Sequence, residues 1–314
     1  MRICRLSITV LVIVFSSIVA PAQTPDSAKK YFQQGQKSFA EGNLEVAFED
    51  YSRAIEISSR LDHPKQIKFD PIDAVNGFDS AAAVTVIDPF TAVAYTNRGV
   101  VRYKQHDFDG AIVDFNAAIR ISPRLADAYL GRGAASRVKG NLDNARADLD
   151  RAISIDPRLA EAYTDRADVC LETGDFDGAL SDLNRALAIN PRLAEAYYHL
   201  GYLRLLKNEY DAAMANFDRA VQLQPKMAPA YHGRGTTWVK RGDLDHAIAD
   251  FNRALELNPE LPFTYMNRGL VLLLKGKDAD AQRDFDQCLA LRPALKSELE
   301  QRIEIAKALR TLKP

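Results

Sequence analysis

Along most of the chain, apolar and small residues recur at helical spacing, and that pattern itself repeats every 34 residues. Tyr95, Tyr129, Tyr163, Tyr197, Tyr231 and Tyr265 mark the period. Four residues after each stands a small residue: Gly99, Gly133, Ala167, Gly201, Gly235 and Gly269. Sixteen after each comes Ala111, Ala145, Ala179, Ala213, Ala247 or Ala281, and twenty after comes Phe115, Leu149, Leu183, Phe217, Phe251 or Phe285. Ala118, Ala152, Ala186, Ala220 and Ala254 follow at the twenty-third place, with Cys288 as the variant. A weaker copy begins at Tyr31 with Gly35, Ala47, Tyr51 and Ala54, which makes seven units.

Each unit predicts two helices. Residues four apart share a helix face, so the tyrosine and the small residue line one side of the first helix. Eleven residues after the tyrosine stands Gly42, His106, Gly140, Gly174, Asn208, Gly242 or Gly276. Gly and Asn tolerate positive φ, and His is enriched there, so these positions end the first helix. Asp107, Asn141, Asp175 and Asp243 follow as N-caps of the second helix. Pro123, Pro157, Pro191, Pro225, Pro259 and Pro293 close the units, because proline cannot continue a helix.

The order of aromatic, small residue, two alanines and terminal proline resembles the tetratricopeptide repeat family over residues 28–57 and 92–295. The resemblance implies an all-α fold, a right-handed α-solenoid of helix-turn-helix units that binds peptides or protein partners. One departure stands out. Three after the tyrosine the family's usual leucine is replaced by Arg98, Arg132, Arg166, Arg234 and Arg268. The same units carry Asp114, Asp148, Asp182, Asp250 and Asp284 sixteen residues later. The unit with Leu200 has Asn216 instead, so the two positions change together. A charge at a packed face is costly unless paired, and we expect each Arg–Asp pair to bridge the two helices of its unit. Removing Asp182 should then cost more than removing Asn216.

The ends divide the chain further. Arg2 and Arg5, the apolar run Ile8–Phe15 and the small residues Ala20-Pro21-Ala22 read as a signal peptide over 1–22. Export follows as the expectation, periplasmic in a bacterium, with secretion or an uncleaved N-terminal anchor as alternatives. No stable membrane insertion is expected after cleavage. Residues 23–57 hold an N-terminal extension and the first unit, and 58–91 break the period as an insertion, with Pro89 closing that first unit. Six units fill 92–295. Leu299, Ile303, Ala306, Leu309 and Leu312 form one stripe of a C-terminal capping helix over 296–314.

Composition changes this picture little. The chain has 314 residues, a formal net charge of −1 and 26% charged residues, which gives no support for nucleic-acid binding. Three cysteines exclude a disulfide scaffold, and Cys170 and Cys288, three units apart, are expected as buried thiols. No HExxH, CxxC, GxSxG or phosphate-loop pattern occurs, and the Gly-Arg-Gly triplets at 131–133 and 233–235 fall inside predicted helices, their second glycine being the packing one. No catalytic site, cofactor or metal is expected.

A surface is left as the carrier of function. Positions −2, +1, +2, +5, +8 and +9 from each tyrosine fall opposite the packed side, which in the resembled family lines the concave groove. They give an acidic patch of Glu161, Asp165, Asp168 and Glu172, then Tyr198, His199 and Tyr202, then His232 and Lys240, then Met266. That sequence of surfaces suits a partner segment with basic and apolar residues. Some family members clamp a terminal carboxylate with lysines and asparagines in this groove; here the +1 positions are Phe32, Thr96, Leu130, Thr164, Tyr198, His232 and Met266, which do not support that activity. Leu273 and Leu274 are expected to receive the capping helix. The expected function is a non-catalytic scaffold or adaptor. The alternatives are a self-associating structural protein, a second copy then being the partner, and the regulatory subunit of an exported enzyme.

Overall fold

The computed structural model describes residues 25–60 and 89–311. The expected signal peptide, residues 61–88 of the expected insertion, and Leu312 lie outside them. The described residues form α1 (Asp26–Ala40), α2 (Leu44–Arg60), α3 (Pro89–Lys104), α4 (Phe108–Ile121), α5 (Ala126–Val138), α6 (Leu142–Ile155), α7 (Ala160–Thr173), α8 (Phe176–Ile189), α9 (Ala194–Leu206), α10 (Tyr210–Leu223), α11 (Ala228–Arg241), α12 (Leu244–Leu257), α13 (Pro262–Leu274), α14 (Asp278–Leu291) and α15 (Lys296–Thr311). The fold is all-α, a solenoid of helix pairs. The chain divides into two compact units, Met1–Glu172 and Thr173–Pro314. None of the described helices is long and apolar enough to cross a membrane.

The turns within the pairs form where the backbone chemistry directs. Gly42, His106, Gly140, Gly174, Asn208, Gly242 and Gly276 all have φ between 59° and 83°. At Gly140 the chain reverses with Gly140 N donating to Arg137 O and Asn141 N to Ser136 O, both at 2.9 Å, which satisfies carbonyls that the helix end leaves open. Asp107, Asp175 and Asp243 cap the following helices by accepting from Gly110, Gly178 and His246 backbone N–H groups. Asn141 stands at the same position without a side-chain cap bond.

The alanines of the period vanish from the surface. Ala47, Ala111, Ala145, Ala179, Ala213 and Ala247 are wholly buried, as are Tyr51, Phe115, Leu149, Leu183, Phe217 and Phe251 in all but traces. A methyl group lets helix axes approach, and the aromatic or leucine fills the space beside the next small residue. In the first unit α1 packs on α2, α3 on α4 and α5 on α6; in the second α9 pairs with α10, α11 with α12 and α13 with α14. Cys170 and Cys288 are buried free thiols.

Pro89 does not close the first unit. It is the first residue of α3, where its missing N–H costs no helical bond. The residues after it are buried: Phe90 meets the Phe32 ring at 5.1 Å, and Thr91 donates to Ser58 Oγ at 2.9 Å. So α3 stacks on α2 although 28 residues separate them in sequence. At the other end Leu299 and Ala306 of α15 pack against Leu272 and Leu273 in one apolar cluster. Leu309, expected in the same stripe, is 51% exposed, and so is Ile305 at 61%. Only the part of α15 nearest α13 is covered.

Candidate functional site

The arginines of the period act as three-helix rivets. Arg98 donates from Nε and Nη2 to Asp114 at 2.9 and 2.7 Å; Arg132 does so to Asp148 at 2.8 and 2.6 Å. In the second unit Arg234 holds Asp250 at 2.8 and 2.7 Å, and Arg268 holds Asp284 at 2.8 and 2.6 Å. Such fork-to-fork pairs are the strong geometry for guanidinium and carboxylate. The remaining nitrogen reaches back to the preceding pair. Arg98 meets Ser52, Arg132 Asn116, Arg166 Asp150, Arg234 Asp218 and Arg268 Asn252. Each guanidinium also lies over the tyrosine three residues earlier, 5.3–5.6 Å from the ring centre. Asp182 is buried in α8. Asn216, in the unit without arginine, folds back to donate to Ala212 O at 2.7 Å. The backward contact was missed from sequence; its signal was the polar residue twenty-one places after each tyrosine.

The acidic patch on α7 is not an open surface. Asp165 and Asp168 are each only 6% exposed, and Arg137 of α5 projects among them. Its Nη1 meets Glu172 at 2.7 Å and its Nη2 meets Asp168 at 3.3 Å. Burial works against the Arg137 charge, but Asp168, Asp165 and Glu172 outweigh it and hold the guanidinium pKa above normal. Arg137 stands at a +8 groove position, a signal in the sequence for a cation on this side, but the spacing within one repeat does not reveal that it faces these acids. Glu161 stays partly exposed at the start of α7. Together with burial and Asp156, it raises the Asp127 carboxyl to about 6, burial being the largest cause.

On α9, Tyr198 stacks edge-on against His199 at 4.9 Å and tilts over Phe217 at 6.2 Å. It packs with Ala194, Ala220, Met227 and Ala230, so half of it belongs to the core, and His199 is buried. Tyr202 is half-buried, and burial raises its phenol. Four residues further Leu206 is 41% exposed, so Tyr202 and Leu206 form the open apolar part of this helix. Met266 on α13 is wholly buried and leaves the groove set. The reason is angular. A +1 side chain is turned about 100° from the tyrosine, toward the neighbouring first helix rather than away from the stack. Thr96 and Thr164 are buried for the same reason; Thr264, one residue before its tyrosine, is turned the other way and is buried against the preceding first helix.

His232, also at +1, places Nδ1 2.9 Å from Thr264 Oγ1 and its ring 5.7 Å from Phe251. Burial lowers the imidazole to about 4. An unfolded chain would take up that proton near its ordinary 6.5, so the stability contributed by neutral His232 is present above about pH 6.5 and lost as pH falls toward about 4. We expect the wild type to lose up to about 3 kcal/mol more than His232→Phe across this window. Urea unfolding at the two ends of the range tests it; identical pH slopes would contradict the assignment.

In sequence, Gly131 and Gly233 stand two residues before the packing glycine of their triplets. Both are packing glycines themselves. A Cβ on Gly131 would lie 2.4 Å from the Phe115 ring, and one on Gly233 2.5 Å from Phe217. The first glycine of each triplet thus receives the aromatic of the preceding pair, while the second receives the large side chain of its own pair, Leu149 at Gly133 and Phe251 at Gly235. Among the described residues no group of three His, Cys, Asp or Glu is placed to hold a metal.

Comparison with known proteins agrees with this fold. Profiles of the tetratricopeptide repeat match residues 76–160, 194–227 and 228–261, and a profile described as TPR repeat matches 167–206. No curated protein matches the sequence. Among solved structures, a tetratricopeptide repeat protein from Parabacteroides merdae is similar at 17% identity, covering 90% of this chain and all of its own, with a TM-score of 0.60. The APC/C hetero-tetramer Cut9–Hcn1 contains a chain matched at 18% identity and TM-score 0.65; the match covers 88% of this chain and 54% of that one. A thermophilic repeat protein of Thermus thermophilus matches at 22% identity over 58% of this chain and 99% of its own, with a TM-score of 0.52. Likeness at this level concerns the fold.

Proposed function

The chain carries tandem tetratricopeptide repeats, a fold typical of protein-interaction scaffolds, and from that premise we propose that it is a non-catalytic adaptor. It holds a peptide or protein partner along the open side of its first helices. In the same proposal it works outside the cytoplasm, which the basic and apolar start of the chain supports. The observation that carries the reading is the open apolar stretch of α9, Tyr202 with Leu206, on a helix whose other side is locked into the core. Aromatic and aliphatic anchors on a rigid element bind without an ordering cost. The basic partner suggested by the α7 acids loses its support, because Arg137 already occupies Asp168 and Glu172.

A cross-linked pull-down comparing the wild type with a Tyr202→Ser, Leu206→Ser double variant tests the proposal. The wild type should retain a partner that the variant loses by roughly tenfold or more, with circular dichroism unchanged. Equal capture by both would remove α9 as the site.

A further inference from the structure

We propose that the cleft between α11, α13 and α15 binds an acidic, apolar segment of a partner protein, whose apolar side chains enter the cleft while a carboxylate meets Lys240. The proposal rests on the scaffold reading and assigns the chemistry of one partner segment.

The cleft has a volume of about 300 Å³ and lies wholly within the second compact unit. Val239 of α11, Leu270 and Leu274 of α13, and Ile305 and Leu309 of α15 line it, with Lys240 at its edge. That volume reaches the lower range of ligand sites. A capping helix ordinarily turns its apolar residues inward and its polar ones to water. Here Ile305 and Leu309, one helical turn apart, face the cleft and remain more than half exposed. Three helices side by side with apolar residues at turn spacing form the kind of trough that accepts an amphipathic segment.

Charge decides the occupant. Neither α11 nor α13 contains an acidic residue. Their cations are otherwise committed: Arg234 to Asp250 and Asp218, Arg268 to Asp284, and Arg241 to Asp211. On α15, Arg302 pairs with Glu298, Lys307 with Glu304 and Arg310 with Asp278, and the remaining acid, Glu300, is not among the residues that line the cleft. Lys240 makes no ion pair among the described residues and is exposed. The uncommitted charge at the mouth of this apolar cleft is therefore positive. A basic segment would be repelled there, and a neutral one would cover the ammonium without replacing its water.

Two labelled synthetic peptides serve as probes for the full chain. One is amphipathic, with leucines at helical spacing and glutamates between them; the other has lysines in place of the glutamates. Fluorescence anisotropy should show the acidic peptide binding at least about tenfold more tightly. Lys240→Glu should erase or reverse that preference, and Ile305→Asp, on an exposed helix face, should abolish binding while leaving the thermal midpoint unchanged. Binding of neither peptide, equal binding of both, or indifference to both substitutions would overturn the proposal. So would sedimentation showing that Ile305→Asp splits a dimer for which the acidic peptide does not compete, since the cleft would then belong to a second copy. The scaffold reading fails separately: it is the Tyr202, Leu206 variant on α9 that must lose its captured partner, whatever the peptides do at α15.

Discussion

Replacing Asp250 by alanine is expected to destabilise the protein by about 2–4 kcal/mol, against less than about 1 kcal/mol for Asn216→Ala at the same place in another repeat. Asp250 accepts two bonds from Arg234, whose side chain is only 22% exposed. Without that carboxylate the guanidinium stays trapped beside Tyr231 with Asp218 as its remaining partner. Asn216 bonds only to its own helix, at Ala212 O, so its loss strands no charge. The chain supplies its own control, because the repeat with Leu200 and Asn216 does without the pair. An Arg234→Leu, Asp250→Asn double variant should therefore recover most of the loss, since an apolar replacement of a buried ion pair is often close to neutral. Urea unfolding of the three variants decides the matter. Equal midpoints for Asp250→Ala and Asn216→Ala would show that the pair is not what holds the two helices together.

Gly131→Ala should lower stability by about 1–3 kcal/mol even though alanine is the better helix former by about 1 kcal/mol. The added methyl would stand 2.4 Å from two carbons of the Phe115 ring. That ring is fully buried and already touches Gly99 from the other side, at a distance of 2.8 Å from a Cβ built there. It has nowhere to retreat without moving α3 or α5. Phe115→Leu should relieve the clash, so the double variant should be less destabilised than the sum of the singles by more than about 1 kcal/mol. Strict additivity, or a stabilised Gly131→Ala, would refute the steric account. This contact also bears on function, because the same aromatic-into-glycine packing joins α10 to α11 through Phe217 and Gly233 and so helps set where α11 presents its open side.

Much of the fold was legible in the chain because its determinants are local. The left-handed turns depend on one residue each, and glycine, histidine or asparagine stands at every one of them. The alanines and aromatics recur with the period because every helix pair solves the same packing problem. The paired change of arginine and aspartate within one sequence pointed to a bridge between helices, and the guanidinium geometry in both units has that form.

What periodicity left undetermined is which polar or apolar residue a neighbouring pair covers. Asp165 and Asp168 look like surface acids until Arg137, from another pair, is seen among them. Met266 reads as a groove residue beside Tyr265 until the neighbouring helix is seen to cover it, and it is wholly buried. Gly131 looks like an accident beside Gly133, and Leu309 like one more residue of a covered stripe. In each case the deciding atom lies in the next helix pair or on the terminal helix. The sequence by itself determined the helix pairs, their turns and the positions at which they interlock, since these follow from backbone preferences and from side-chain size within one repeat. Only the tertiary structure decided which side of each first helix stays open, because that depends on how one pair is rotated against the next, and many side chains share that rotation without any one of them encoding it.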